Sequence, residues 1–232
     1  MADDLTDILV AQGPQAGRPL LGLTVLVVED SRFACEALRL LCLRSGARIR
    51  RADCLQSAGR HLQTYRPTVV IVDLGLPDGS GLDLIAELAA CSPRVPVILA
   101  ISGDEGGREV ALAAGADGFL AKPIESLGAF QRAVLSALPS GGARVTLAAA
   151  SDHIAPDRIA LRDDLAHIAG LLDRGADDRG LDYIAQFLSG VALSAHDLAL
   201  AAAAQGLAAD HVGGVAPLSG LVRERLAVGH GF

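Results

Sequence analysis

Four apolar runs in this 232-residue chain end in side chains that could share one piece of chemistry. VLVV leads into Glu29-Asp30, VVIV into Asp73, VILAI into Ser102, and GFLA into Lys122-Pro123. In an open parallel sheet the C-terminal ends of the strands converge on one crevice, so these residues would meet there. Three carboxylates in one place repel one another unless a cation sits among them, and hard oxygen ligands suit Mg²⁺. A carboxylate is also a nucleophile toward phosphorus. It gives an acyl phosphate, whose charge is balanced by a metal, a cation and a hydroxyl donor. Asp73, Mg²⁺, Lys122 and Ser102 fill those four roles. Lys122 is the single lysine of a chain whose other basic residues are arginine, and the two cations are not equivalent at a compact anion site.

The elements that must position these residues follow from the hydropathy pattern. From Leu23 short apolar segments alternate with helical periodicity: LTVLVVED, a helix over 31–45, ARIRRAD, a helix over 55–65, and TVVIVD. A helix over 82–91, VPVILAIS, a helix over 109–114, GFLAK and a helix over about 126–138 complete the series. Strands too apolar to alternate, each followed by a helix, indicate a parallel sheet covered on both faces. The expected fold of 23–138 is therefore α/β, a doubly wound five-stranded parallel sheet. Residues 1–22 read as an N-terminal arm. PSGGAR breaks the last helix and opens a linker over 139–150. Residues 151–232 read as a small all-α bundle: Ile159, Leu165, Ile168 and Leu172, then Leu181, Ile184, Phe187 and Leu188, fall at helical spacing. Gly175 and Gly180 are expected to bracket a turn. The tail from Asp210, with Gly213, Gly214 and Pro217, reads as one further short helix or a mobile end.

The stretch 23–138 resembles the receiver domain of bacterial two-component response regulators. The resemblance rests on VLVVED at 25–30, VIVDLGLPDGSGLDLI at 70–85, ILAIS at 98–102 and GADGFLAKP at 115–123. Pro77 stands four residues and Gly81 eight residues after Asp73, as that family's pattern requires. The resemblance implies a flavodoxin-like fold, Asp73 as phosphoacceptor, and Mg²⁺ held by Glu29, Asp30, Asp73 and the backbone carbonyl of Gly75. It further implies that Ser102 binds a phosphoryl oxygen and Lys122 pairs with the phosphate. The Lys122-Pro123 bond would be cis, and Phe119 would be the aromatic that moves on switching. The phosphoryl donor would be a histidine kinase or a histidine-phosphotransfer protein. The chain would be no enzyme beyond its own phosphoryl transfer and dephosphorylation. It departs from the family in placing Ser102 only 20 residues before Lys122, about two fewer than usual, and in carrying Gly103 and Gly106-Gly107.

The second half is harder to assign. The chain carries a formal net charge of -7, and residues 141–232 hold 7 arginines against 11 acidic residues. That sign opposes capture of nucleic acid or an anionic membrane. No candidate helix shows the basic face of a DNA-reading helix-turn-helix. The stretch Ala185-Gln186-Phe187-Leu188-Ser189-Gly190-Val191 resembles, more weakly, the second helix of histidine-phosphotransfer domains. Gln186 stands where the phosphorylated histidine would be and Ser189 where the lysine would be, so such a domain would be degenerate. His167 and His196 read as ordinary helix residues. His153, His211 and His230 fall in apparent loops or the tail and form no metal pattern. Four cysteines without close pairs read as reduced thiols. No signal peptide or membrane span is evident, which implies a cytoplasmic protein. The expected output is a protein-protein contact, with a homodimer through residues 150–232 preferred. A transcription regulator with an unrecognised DNA-binding bundle and a phosphate sink in a relay are the alternatives.

Overall fold

A computed structural model describes residues 17–104, 106–139, 148 and 152–228. Five strands, β1 (Thr24–Val28), β2 (Arg48–Ala52), β3 (Val69–Asp73), β4 (Val97–Ser102) and β5 (Gly118–Ala121), form one parallel sheet in the order 2-1-3-4-5. This is the flavodoxin-like order, with the ligand crevice expected at the β1/β3 switch point. Helices α1 (Arg32–Ser45), α2 (Leu55–Thr64), α3 (Gly81–Ala90), α4 (Gly107–Ala113) and α5 (Leu127–Ala137) alternate with the strands.

Side chains alternate across each strand, so both faces need cover. Val25, Val27, Ile71 and Leu99 pack with α1 and α5 around Leu38, Leu41 and Phe130. Leu26, Val28, Val70 and Ile98 pack on the opposite face with Ala58, Ile85 and Ala111. That two-sided burial is why the strands read as continuous apolar runs. Leu20, from the end of the arm, and Ile154, from beyond the linker, are both buried in the first of these cores. Arm residues 1–16 and most of the linker lie outside the described residues.

The second half is helical, as expected. Helices α6 (Arg158–Arg174), α7 (Asp178–Ser194), α8 (Leu198–Ala209) and α9 (His211–Val228) enclose Ile168, Ile184, Leu188, Ala204, Leu207, Leu218 and Val222. Asp157, Asp177 and Asp197 cap α6, α7 and α8, accepting hydrogen bonds from Ile159, Gly180 and Leu200. Asp210 accepts from Val212 and Gly213 at the start of α9. Much of the acidity of this half is thus helix capping, where a carboxylate meets free N–H groups and the positive end of the helix dipole.

Three local expectations are corrected. Gly180 lies inside α7 instead of ending a turn. His196 is in the α7–α8 connection with φ 55°, not in a helix. The tail is an 18-residue helix, running through Gly213, Gly214 and Pro217. Gly214 is buried at the α8–α9 crossing, where a β-carbon would come 2.5 Å from Cα of Leu207; the exposed Pro217 leaves that contact undisturbed. Among the described residues no helix is long and apolar enough to cross a membrane.

Candidate functional site

The strand ends deliver the predicted residues to one place. Beyond β1 the chain passes through Glu29 and Asp30 into Ser31, which caps α1 by accepting from the amide of Ala34 at 3.0 Å. Glu29 Oε1 accepts from the amide of Ser31 at 3.1 Å, which fixes its side chain inward. Asp73 ends β3 and accepts from the amide of Leu74 at 3.0 Å. Just beyond β5, Lys122 reaches back under the sheet edge, its Nζ 2.8 Å from Glu29 Oε2 and 3.2 Å from Asp73 Oδ2. The Lys122-Pro123 bond is cis.

This cluster is electrostatically unfinished. Carboxylate oxygens of Glu29, Asp30 and Asp73 lie within 4.8 Å of one another, with a single ammonium among them. Burial, then the charge of Glu29, push the carboxyls of Asp30 and Asp73 well above the ordinary carboxylate range. Burial alone would lower the Lys122 ammonium, but Asp73 and Glu29 outweigh it and hold the proton on. Oδ1 of Asp30 is buried without a hydrogen-bond partner. Converging hard oxygens, excess negative charge and an orphaned acceptor together fit a divalent cation.

The surrounding loops are built to hold this edge. After Asp73, Gly75-Leu76 pairs antiparallel with Gly79-Ser80, a small ribbon the hydropathy pattern did not show. Between its arms Asp78 caps α2, accepting from the amides of Leu55 and Gln56 at 2.8 and 2.9 Å. A β-carbon at Gly81 would overlap the carbonyl oxygen of Asp73, so the turn after β3 requires glycine there. Ser102 is buried, and its hydroxyl accepts from the amide of Asp104 at 3.0 Å. Phe119 is buried too, with the Arg108 guanidinium 5.2 Å from its ring centroid.

Sequence reasoning did not foresee that the helical bundle lies across this cleft. Asp164 of α6 accepts from the hydroxyl of Ser31 at 2.8 Å and from the amides of Arg32 and Phe33 at 2.9 and 3.0 Å. It therefore caps α1 from outside its own domain. The Tyr183 hydroxyl of α7 donates to Asp30 Oδ2. One turn on, the carboxamide of Gln186 rests on Gly75 so closely that a β-carbon there would collide with it. At Gly103 a β-carbon would lie 3.0 Å from Leu193 and 3.5 Å from Gly190, and one at Gly190 would lie 3.3 Å from Lys122. Gly103, an oddity within the first half, is thus a landing point for α7. Beside these contacts, His196 Nε2 stands 2.8 Å from Glu125 Oε1.

Comparison with known proteins agrees with this geometry. Residues 25–133 match the family model described as "Response regulator receiver domain". Residues 25–133 are a response regulator receiver domain. The receiver is 37% identical over 100 residues to the KDP operon transcriptional regulatory protein KdpE of Escherichia coli, spanning 43% of this chain and 44% of that protein. It is 34% identical over 102 residues to the virulence transcriptional regulatory protein PhoP of Salmonella typhimurium, spanning 43% of this chain and 45% of that protein. The chain thus spans less than half the length of the curated relatives it matches. Among solved structures it is similar to the receiver domain of the sensor histidine kinase PA1611 of Pseudomonas aeruginosa, described with a magnesium ion in its active site cleft. That likeness has 27% identity and a TM-score of 0.44, and covers 49% of this chain and 95% of the other. Each of these matches spans about half of this chain or less.

Proposed function

We propose that this chain is a two-component or phosphorelay response regulator whose Asp73 accepts a phosphoryl group, and whose output is the uncovering of its own phosphorylation face. The observation that carries this reading is the placement of α7 across the cleft, with Tyr183 on Asp30 and Gln186 on Gly75.

Glu29, Asp30, Asp73 and the carbonyl of Gly75 would hold Mg²⁺. When bound, the metal supplies positive charge against the incoming phosphoryl oxygens. Asp73 is the nucleophile: a carboxylate oxygen attacks phosphorus of a phosphohistidine on a kinase or phosphotransfer protein, and the P–N bond breaks. Lys122 already touches Asp73 and pairs with one phosphoryl oxygen. The Ser102 hydroxyl accepts from Asp104 and keeps its own proton free to donate to another. The chain acts as a phosphoacceptor, not as an enzyme on other molecules.

In the covered state Tyr183 holds one oxygen of the carboxylate whose other oxygen is left for the metal, so the two draw on the same charge, and α7 stands where a donor must approach. Metal and phosphoryl group on one side, and the bundle on the other, therefore compete for the same edge. Lifting α6 and α7 exposes a surface bearing Tyr183, Gln186 and Leu193 to a partner protein or to a second copy of this chain. The acidic bundle supports a protein partner over DNA.

Hydrogen exchange on the full chain, with and without beryllofluoride and Mg²⁺, tests the reading, with light scattering on the same samples. Peptides of α7 and of the first turn of α1 are expected to lose protection together on adding the mimic. Unchanged protection in both would show that the receiver does not control the bundle. A specific, salt-sensitive shift of a DNA fragment would replace the protein-contact output with a transcriptional one.

A further inference from the structure

Gln186 is out of place for a residue whose only task is packing. Its neighbours Ile184, Ala185, Phe187 and Leu188 are buried in the bundle, whereas Gln186 is exposed and faces the receiver. Its carboxamide takes part in no hydrogen bond among the described residues. It lines a cleft of about 410 Å³ together with Gly75, Ser102, Asp104 and Tyr183. The cleft adjoins Asp73 through two of its lining residues, Leu74, which follows Asp73 in the chain, and Ser102, whose hydroxyl is expected to meet a phosphoryl oxygen, and it has room for several waters, at roughly 30 Å³ per water in the liquid.

We propose that Gln186 directs water onto the phosphoryl group of Asp73, which makes the C-terminal bundle a built-in hydrolase for the acyl phosphate it covers. The inference rests on Asp73 as the phosphoacceptor. Phosphoryl transfer proceeds through a loose transition state that asks for placement of the nucleophile more than for a strong base, and a glutamine amide that orients water suffices in other phosphoryl-transfer sites. Here the amide oxygen accepts a hydrogen bond from the water while the NH₂ donates to a phosphoryl oxygen. The water oxygen attacks phosphorus opposite the Asp73 oxygen. The P–O bond to Asp73 breaks, its electron pair returns to the carboxylate, and the water proton passes to a phosphate oxygen. An acyl phosphate of charge -2 and one water become a carboxylate and dihydrogen phosphate, so charge and atoms balance with no other reactant. Gly75 contributes by lacking a side chain, since any β-carbon would push the amide out of the cleft. Each re-docking of α7 on a phosphorylated receiver then ends the signal.

The test uses the full chain labelled with radioactive acetyl phosphate and Mg²⁺, freed of donor, and followed for loss of label. Hydrogen exchange of α7 is read in parallel. Gln186→Met keeps the side-chain length and removes the amide; it is expected to take up label to the same stoichiometry, retain it at least fivefold longer, and keep α7 protected once label is gone. Gln186→Asn, which restores an amide on a shorter arm, is expected to fall between. Equal lifetimes with α7 protected in both chains would overturn the hydrolytic role and leave the covering intact. Equal lifetimes with α7 unprotected in both would overturn the covering as well. Absence of label on the parent chain would overturn the phosphoacceptor reading and, with it, this one.

Discussion

The Tyr183 hydroxyl donates a 2.6 Å hydrogen bond to Oδ2 of Asp30, joining a helix of the bundle to the acidic edge of the receiver across 153 positions of sequence. Burial, then the charge of Asp30, push the Tyr183 phenol upward, so it remains a donor throughout the physiological range. The other carboxylate oxygen of Asp30 is buried without a partner. One side chain therefore offers one oxygen to a phenol of α7 and would offer the other to a cation in the cleft.

Removing the phenol hydroxyl should favour the cation. Tyr183→Phe is expected to tighten Mg²⁺ binding about tenfold, equivalent to roughly 1.4 kcal/mol, close to the lower end of the net worth of a hydrogen bond to a charged group. Isothermal titration of the metal into both chains measures it. Equal affinities would mean that the phenol and the metal do not share Asp30.

Asp73→Asn should abolish labelling by acetyl phosphate in the presence of Mg²⁺ while leaving the fold unchanged, because the amide nitrogen offers no nucleophile at the end of β3. Label persisting at the parent stoichiometry would place the phosphoacceptor elsewhere.

Asp164→Ala should loosen the cover without entering the cleft. The carboxylate accepts one hydroxyl and two amide protons at the start of α1, and losing such a cap costs about 2 kcal/mol. The population with α6 lifted should rise roughly thirtyfold. Faster exchange at the amides of Arg32 and Phe33 would report it; exchange indistinguishable from the parent would show that α6 is held by other contacts.

Acid should loosen the hold of α9 on the start of α8. The Arg225 guanidinium, hydrogen-bonded to Asp197 at 2.7 Å, holds that carboxyl below the usual range, aided by the amide of Leu200. The folded state then binds fewer protons than the unfolded one near and below the ordinary carboxylate value. The contribution is fully present above about pH 4 and is lost as pH falls further. Thermal melts of Asp197→Ala and the parent should differ by roughly 2 °C at pH 7, and the gap should narrow as the pH falls below about 4. A constant offset would assign the effect to packing.

Most of the receiver was readable because its physics is local or repeats at short range. The runs around Val27, Ile71 and Leu99 are apolar on both sides of the sheet, and the spacing of Pro77 and Gly81 after Asp73 reflects a turn that tolerates no β-carbon at Gly81. The strand-end logic likewise brought Glu29, Asp30, Asp73, Ser102 and Lys122 to one edge. What stayed hidden was set by contacts between distant residues. Nothing near Tyr183 or Asp164 announces Asp30 or Ser31, and the oddity of Gly103 could be noticed but not matched to Leu193. The tail misled for a related reason: glycines 213 and 214 resemble helix breakers until α8 is seen lying against Gly214. Gln186 was singled out for the residue it replaces in a weak resemblance, and the structure places it at the receiver, a position that resemblance alone did not establish.

The cap that Asp164 places on α1 carries a consequence for how the molecule is made. A ribosome delivers Ser31 long before Asp164, and Gln186 emerges about 50 residues after the end of α5. At usual synthesis rates that delay is roughly 3 to 10 seconds. A receiver that folds as it emerges is bare for that interval, its acidic edge not yet covered by Tyr183 and Gln186.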